Sequence, residues 1–190
     1  MVRSLAVILA CVGVVLLLAP QPDGVEQPQV TGGEAAAALE QARGQLPAGL
    51  LLPLPGGVLQ EGPQVPADAV VPLPGDWRLD YARTEERDDL PTWRVGLLSP
   101  DERRVDLEQA AAPTEEWLTR ADEGRPGLPE AVEVGGLTWT AQERGDGDVS
   151  YTWSDPGAGP GAVTTAVSAS SGSDDLLAVV EAVAVALADG

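Results

Sequence analysis

Apolar and polar residues alternate along much of the chain after Gly75, and this period of two predicts β-strands. The alternating runs begin at Trp77, Trp93, Val105, Val132, Leu137, Val149 and Val163. Two of the runs are separated only by Gly135-Gly136, which is typical of a β-hairpin. Because the runs alternate and are not apolar throughout, they predict an antiparallel sheet of about six or seven strands with one buried face.

Two segments of the same region have the apolar spacing of a helix. The apolar side of the first, which begins near Pro113, consists of Trp117, Leu118 and Ala121. The second follows Ser173, a good N-cap, and repeats apolar residues at positions 176, 180, 183 and 187. Together these patterns predict an α+β domain over residues 75–190, in which helices pack on one face of the sheet.

The N-terminal run 5–19 is apolar without interruption. It fits an uncleaved transmembrane helix over residues 5–20 with a short cytoplasmic end at 1–4, a cleaved signal peptide, or a lipoprotein modified at Cys11. Leu17 and Pro20 fit a cleavage site poorly, and the apolar run continues well beyond Cys11, so we favour the membrane anchor. Arg3 precedes the run and only acids follow it closely, which places the N-terminus in the cytoplasm and the remainder outside the cell membrane.

Residues 21–74 separate the anchor from the alternating region and are rich in proline and glycine. Such a composition predicts an extended tether. Within it, residues 33–46 are rich in strong helix formers, and Ala35, Leu39, Ala42 and Leu46 fall on one helical face. We therefore expect a short helix inside the tether.

The composition removes most catalytic and metal chemistry. The chain has no His, Lys, Phe or Asn, and its single cysteine is Cys11, inside the apolar run. Without His or Lys there is no usual base for a nucleophile, and zinc lacks its preferred ligands. The net charge of −19 disfavours nucleic-acid binding. We predict no enzymatic activity, no catalytic or metal-ligating residue and no cofactor.

Carboxylates are the chemistry that remains. A pair of them could hydrolyse glycosides, and hard oxygens at Asp146 and Asp148, or at Asp174 and Asp175, could bind calcium. A hairpin turn and a helix start are the simpler interpretations of these two pairs.

The five tryptophans are Trp77, Trp93, Trp117, Trp139 and Trp153. We expect them to fill the core of a chain without Phe, and an aromatic pocket for a lipid or glycan is the functional alternative.

One block of sequence resembles a known family. Trp93-Arg-Val-Gly-Leu-Leu-Ser-Pro-Asp101, followed by Val105-Asp-Leu-Glu-Gln109, is similar to the pattern of an actinobacterial membrane-protein family called domain of unknown function 4245. Similar stretches occur at Pro74-Gly-Asp-Trp-Arg78 and between Val132 and Trp139. The resemblance implies a single-pass membrane protein with an outward domain. It implies no activity, because the family has none assigned, so no functional residue is transferred.

These observations lead to three functional hypotheses. We expect a single-pass membrane protein whose extracytoplasmic domain is a non-catalytic interaction module of the cell envelope. In that hypothesis the partners are the membrane, through the N-terminal helix, and an envelope protein. The alternative is a binder or carrier of a lipid or another apolar envelope ligand. A carboxylate-dependent hydrolase is the second alternative.

Overall fold

The structure, a computed structural model, describes residues 30–46, 49–57, 62–114, 117–118, 130–143, 149–155, 162–169 and 174–189. The helices are α1 (Gly32–Arg43) and α2 (Asp174–Asp189), and a short 3-10 turn covers Ala67–Ala69. The strands are β1 (Leu52–Pro55), β2 (Val70–Leu73), β3 (Arg78–Arg87), β4 (Leu90–Leu98), β5 (Arg104–Ala111), β6 (Glu130–Val134), β7 (Leu137–Glu143), β8 (Val149–Ser154) and β9 (Val163–Ala169).

Seven strands form one antiparallel sheet in the order β3-β4-β5-β9-β8-β7-β6. The last strand in the chain, β9, therefore lies in the middle and joins two three-stranded meanders. Gly135 and Gly136 form the tight turn between β6 and β7, and both have positive φ angles that glycine adopts without strain. The predicted α+β class, the antiparallel sheet and this hairpin are confirmed.

The buried face of the sheet, called the inner face below, carries the alternating apolar residues. In the sheet register Leu107 lies beside Val95 on one side and Val167 on the other, and all three are fully buried. Helices α1 and α2 bury their apolar sides in the same core cluster. Burying apolar side chains between a sheet and its helices is the main favourable contribution to the stability of this domain.

The stretch between residues 30 and 73 differs from the predicted tether. Its described part forms α1, β1 and β2, and β1 and β2 pair in parallel as a separate two-stranded sheet. A capping box at Thr31 and Glu34 starts α1, whose buried residues include Leu39. Leu52, Leu54 and Val71 are at most 2% exposed, so this segment belongs to the core of the domain. Proline is compatible with both strands because each has only one partner.

A buried polar contact fixes this segment to the sheet. Gln109 on β5 is fully buried, and its side-chain oxygen accepts the backbone N–H of Leu51 at 2.7 Å. Its side-chain nitrogen donates to the carbonyl of Gly49 at 3.2 Å and to the hydroxyl of Thr165 at 3.0 Å. The indole of Trp93 donates to the carbonyl of Leu51 at 2.8 Å. Each buried polar group here has a partner, which is the condition for burying it at low cost.

The opposite face of the sheet, called the outer face, carries a second, smaller apolar cluster. Trp117 and Leu118, which are helical, pack against Ala110 and Ala166 of this face. The indole of Trp117 donates to the hydroxyl of Thr92 at 3.1 Å. The expectation that all helices lie on one face therefore fits α1 and α2, whereas Trp117 lies on the other side of the sheet. Ala121, placed on the same predicted helix, lies outside the described residues.

The predicted transmembrane segment 5–20 and Cys11 lie outside the described residues. Within the part of the chain that the structure describes, neither helix is both long enough and apolar enough to cross a bilayer.

Candidate functional site

The outer face of strands β3 to β5 concentrates the charged side chains of the sheet. Tyr81 on β3 lies flat across Gly96 on β4, since a Cβ at Gly96 would come within 2.3 Å of the phenol ring. The hydroxyl of Tyr81 donates to Asp106 on β5 at 2.7 Å, so one side chain spans three strands. A glycine at this strand position is required by the close approach of the ring.

Three guanidinium groups surround this ring. The guanidinium carbons of Arg83, Arg104 and Arg94 lie 4.6, 4.9 and 5.7 Å from the ring centroid of Tyr81. These distances are within the range of cation–π attraction. We call Tyr81, its three arginines and Asp106 the Tyr81 cluster.

A salt-bridge network continues from the Tyr81 cluster along the sheet. Arg94 bridges two carboxylates, at 2.5 Å from Glu85 and 2.9 Å from Glu108, and Arg87 pairs with Glu108 from the other side. The side chain of Glu108 is only 8% exposed, and both of its oxygens have a guanidinium partner. This part of the network is structural, because a buried carboxylate needs such partners.

The electrostatics of the outer face do not favour acid–base catalysis. Burial by itself would raise the pKa of Glu85, but the hydrogen bond and charge of Arg94, assisted by Arg83, hold that pKa below its ordinary value. Burial, and next the negative charge of Asp106, raise the pKa of Tyr81 to about 12. A general acid or base works best with a pKa near the working pH, and both shifts move these groups away from it.

The second unusual surface is the outward side of α2. Leu177, Glu181, Val185 and Ala188 are exposed and follow one another at helical spacing, and we call them the α2 stripe. Leu177 and Val185 are 38% and 57% exposed, and they are the large hydrophobic side chains that the described part of the domain leaves exposed. The outward side of a helix on a soluble domain is usually polar.

Four of the five tryptophans follow the core prediction, whereas Trp117 is buried in the smaller outer-face cluster. Trp77, Trp93 and Trp139 belong to the inner-face core with exposures of 5%, 0% and 0%, and Trp153 is partly buried against that core. Trp139 and Trp153 lie 6.5 Å apart with tilted rings. The indole N–H of Trp139 is buried without a hydrogen-bond partner, which is unusual for a tryptophan.

The two candidate calcium pairs have different outcomes. Asp146 and Asp148 lie outside the described residues. Asp174 and Asp175 begin α2, and one oxygen of Asp175 lies 3.6 Å from the guanidinium of Arg103. Among the described residues, no group of three or more carboxylate, thiol or imidazole side chains is arranged to hold a metal ion.

The residues that carried the resemblance occupy structural positions. Trp93 and Gln109 form the buried contact with Leu51, Glu108 anchors the salt bridges, and Ser99 closes the turn between β4 and β5.

A family model for proteins of unknown function, DUF4245, matches residues 1–183. The chain belongs to the DUF4245 family. A search of curated proteins and of solved structures found no match.

Sequence reasoning did not identify the Tyr81 cluster or the α2 stripe of this DUF4245 member. Charged residues on strand β3 looked like ordinary solvent-facing positions, and only the register brings Tyr81, Gly96 and Asp106 together. The signal available was Gly96, a glycine between Val95 and Leu97 within a predicted strand, which indicates close approach of another group. For α2, the signal was the scarcity of charge on all sides of the helix.

Proposed function

We propose that this DUF4245 protein is a membrane-anchored, extracytoplasmic and non-catalytic interaction module that binds a partner protein through the α2 stripe. The observation that carries the proposal is the exposure of Leu177 and Val185 on one side of α2. Exposed apolar surface is costly in water, and where it is concentrated it commonly marks an interface. The same helix buries Val180 and Val183 in the core, so its orientation on the sheet is fixed.

The stripe also indicates the chemistry of the partner. Glu181 is its single charged residue and lies between Leu177 and Val185. The chain as a whole has 30 acidic and 11 basic residues. A complementary surface is therefore apolar at its centre, with a basic side chain facing Glu181 and a basic rim.

Two other occupants of the stripe fit less well. A second copy of the chain, packed about a two-fold axis through the stripe, would bring two Glu181 carboxylates together between two strongly acidic domains. A bilayer surface is usually bound by helices with Lys or Arg beside the apolar side, and α2 has neither. We therefore commit to a heterologous protein partner.

Three carboxylates of the outer face support a non-catalytic role. Glu85, Asp106 and Glu108 are all held by arginine or by the hydroxyl of Tyr81. A glycoside hydrolase needs one carboxyl group with a raised pKa opposite an ionised one, and Glu85 has a lowered pKa. The carboxylates of the outer face therefore fit a salt-bridge network better than the acid and base pair of a glycoside hydrolase.

The membrane part of the proposal rests on residues 5–20 and on Arg3. It is tested by replacing the exposed Gln41 with cysteine and treating intact cells with a membrane-impermeant maleimide. We expect Gln41→Cys to be labelled without lysis, while the wild-type chain, whose only thiol is Cys11, stays unlabelled. Labelling that requires lysis would contradict the outward orientation.

The interaction is tested by photo-cross-linking in intact cells. A photoreactive residue replaces Ala178, which is exposed beside the stripe, and a control probe replaces Gln41 on α1. We expect a discrete protein adduct from position 178 and not from position 41. The charge reversal Glu181→Lys should reduce that adduct several-fold, whereas Glu40→Lys on α1 should leave it unchanged. Adducts that ignore Glu181→Lys, or that contain only lipid, would contradict the proposal.

A second candidate, an apolar-ligand carrier, is favoured by one observation. The unpartnered N–H of Trp139 is buried beside Trp153, and a ligand with a hydrogen-bond acceptor could satisfy it. Native mass spectrometry of the full chain, released from neutral detergent, tests this function. A retained small molecule that is lost in Trp139→Phe would support it, and a mass equal to that of the bare chain would exclude it.

A further inference from the structure

The Tyr81 cluster has features of a ligand site that the proposed α2 interface does not use. We infer that the outer face of β3 to β5 binds an oxyanion, the phosphate or carboxylate group of an envelope molecule, between Arg83 and Arg104 across the ring of Tyr81. The inference is independent of the partner protein, because the Tyr81 cluster lies on the sheet face opposite to the one that packs on α2.

The base of the site is rigid. The Tyr81 ring packs directly on Gly96, so closely that a Cβ at this position would collide with the ring. At the far end of the phenol, the hydroxyl donates a hydrogen bond of 2.7 Å to the Asp106 carboxylate. A held aromatic ring keeps the guanidinium groups that lie against it in place. The arginines therefore lose less side-chain entropy on binding a ligand than freely mobile arginines would.

The two flanking arginines keep unused donors. Arg83 pairs with Glu85 through Nε alone, at 3.0 Å, and its side chain is 56% exposed. Arg104 also uses Nε, toward Asp106 at 3.0 Å, and its Nη1 lies 3.6 Å from Asp80. Its side chain is 47% exposed. The terminal nitrogens of a guanidinium form a planar fork that matches the paired oxygens of carboxylate and phosphate.

The third arginine adds an independent indication. The Nε of Arg94 is buried and has no hydrogen-bond partner, although its terminal nitrogens bind Glu85 and Glu108. This unused donor belongs to a guanidinium whose carbon lies 5.7 Å from the ring centroid of Tyr81. It also distinguishes the Tyr81 cluster from a surface salt bridge whose donors are all used.

The local charge permits an anion here despite the acidity of the chain. The four arginines of this face, at positions 83, 87, 94 and 104, are balanced by four carboxylates, at 80, 85, 106 and 108. The whole chain, by contrast, carries a net charge of −19. Salt screens charges beyond roughly 8 Å at physiological ionic strength. Anion binding at the Tyr81 cluster therefore depends on the balanced charges of this face more than on the net charge of the whole chain.

The experiment uses the full chain in neutral detergent, labelled with ¹⁵N-arginine, and inorganic phosphate as the first probe. Ionic strength is kept constant with sodium chloride while the Nε–H signals of Arg83 and Arg104 are followed by NMR. We expect both signals to shift saturably with one shared midpoint, while the signal of Arg43, a partly buried arginine paired with Glu40 on α1, stays in place. Acetate is the second probe, and the tighter of the two identifies phosphate or carboxylate as the preferred group.

Variants separate a site from general charge effects. Arg83→Gln and Arg104→Gln should each weaken binding at least tenfold, and Arg83→Lys, which keeps the charge but loses the fork, should weaken it less. Arg78→Gln is the matched control, because Arg78 lies on the same strand in an ion pair with Glu102. Shifts that do not saturate, or an Arg78→Gln effect equal to that of Arg83→Gln, would overturn the inference. If a glutamine variant fails to fold, the result with Arg83→Lys still decides, since unchanged affinity there rules out recognition by the fork.

Discussion

The side-chain oxygen of Gln109 accepts the backbone N–H of Leu51 at 2.7 Å, across 58 positions of the chain. This bond joins strand β5, an interior strand of the sheet, to the residue just before β1. Together with the indole hydrogen bond from Trp93, it makes the proline-rich segment part of the folded domain.

The first prediction concerns this contact. Gln109→Leu leaves the Leu51 N–H and the Thr165 hydroxyl buried without their partner, so the free energy of unfolding should fall by about 2–4 kcal/mol. Urea denaturation followed by tryptophan fluorescence measures the change. The control is Gln142→Leu on β7, which is only partly buried and should change stability by less than about 0.5 kcal/mol. Equal effects of the two variants would show that Gln109 carries no special role.

The second prediction concerns the close approach of Tyr81 to Gly96. Gly96→Ala places a methyl group within 2.3 Å of the ring, so the ring must move and the bond to Asp106 must break. We expect a loss of about 1–3 kcal/mol in the free energy of unfolding. In a Tyr81→Ala background the same substitution should cost much less, and additive effects would contradict the contact. Gly44→Ala is the control, since a Cβ there meets only ordinary contact at 3.4 Å.

The third prediction is a pH dependence. The pKa of Tyr81 is raised to about 12 in the folded protein, above the ordinary tyrosine value of 10.0. A raised pKa means that the folded state holds the proton more tightly than the unfolded state. The associated stability is complete below pH 10 and is lost as the pH rises toward 12. Absorbance of tyrosinate should show a late titration step that Tyr81→Phe removes, and stability should fall less steeply over this range in that variant. An identical decline in both proteins would refute the assignment.

The fourth prediction concerns Glu108, which binds both Arg87 and Arg94. Glu108→Gln leaves two guanidinium groups without their shared countercharge in a mostly buried position, and the expected loss is roughly 3 kcal/mol. Glu102→Gln removes an exposed partner of Arg78 and should cost no more than about 0.5 kcal/mol. Denaturation midpoints of the two variants provide the comparison. A Glu108→Gln protein as stable as Glu102→Gln would mean that the network is dispensable.

The sheet was predictable because its signal is local. Alternation around Trp93, Val105 and Val163 identifies strands by itself, and the Gly135-Gly136 pair identifies a hairpin. Strands β1 and β2 were not predictable in the same way, because Pro53 and Pro72 make them look like extended linker. Their pairing is also parallel and joins distant residues, for which a single sequence contains no local pattern.

Predicting the candidate sites requires knowledge of which residues from different strands lie beside one another. Tyr81, Gly96 and Asp106 lie on three strands, and their meeting requires the exact register of β3 on β4 and of β4 on β5. The inward phase of Gln109 with Val105 and Leu107 was a usable signal, since a polar residue in an apolar row predicts a buried hydrogen bond. The partner of Gln109 was not predictable, because Leu51 lies in the segment assigned to the tether.

The central position of β9 has a consequence for synthesis. Strand β5 ends at Ala111 and β8 ends at Ser154, so both meanders are synthesised before residues 163–169, and neither meander can join the other without β9. During that interval β5 and β8 both expose unpaired backbone edges, which are templates for aggregation. A premature stop between residues 155 and 162 yields two unjoined half-sheets. The nascent chain therefore needs protection from association until its last strand is available.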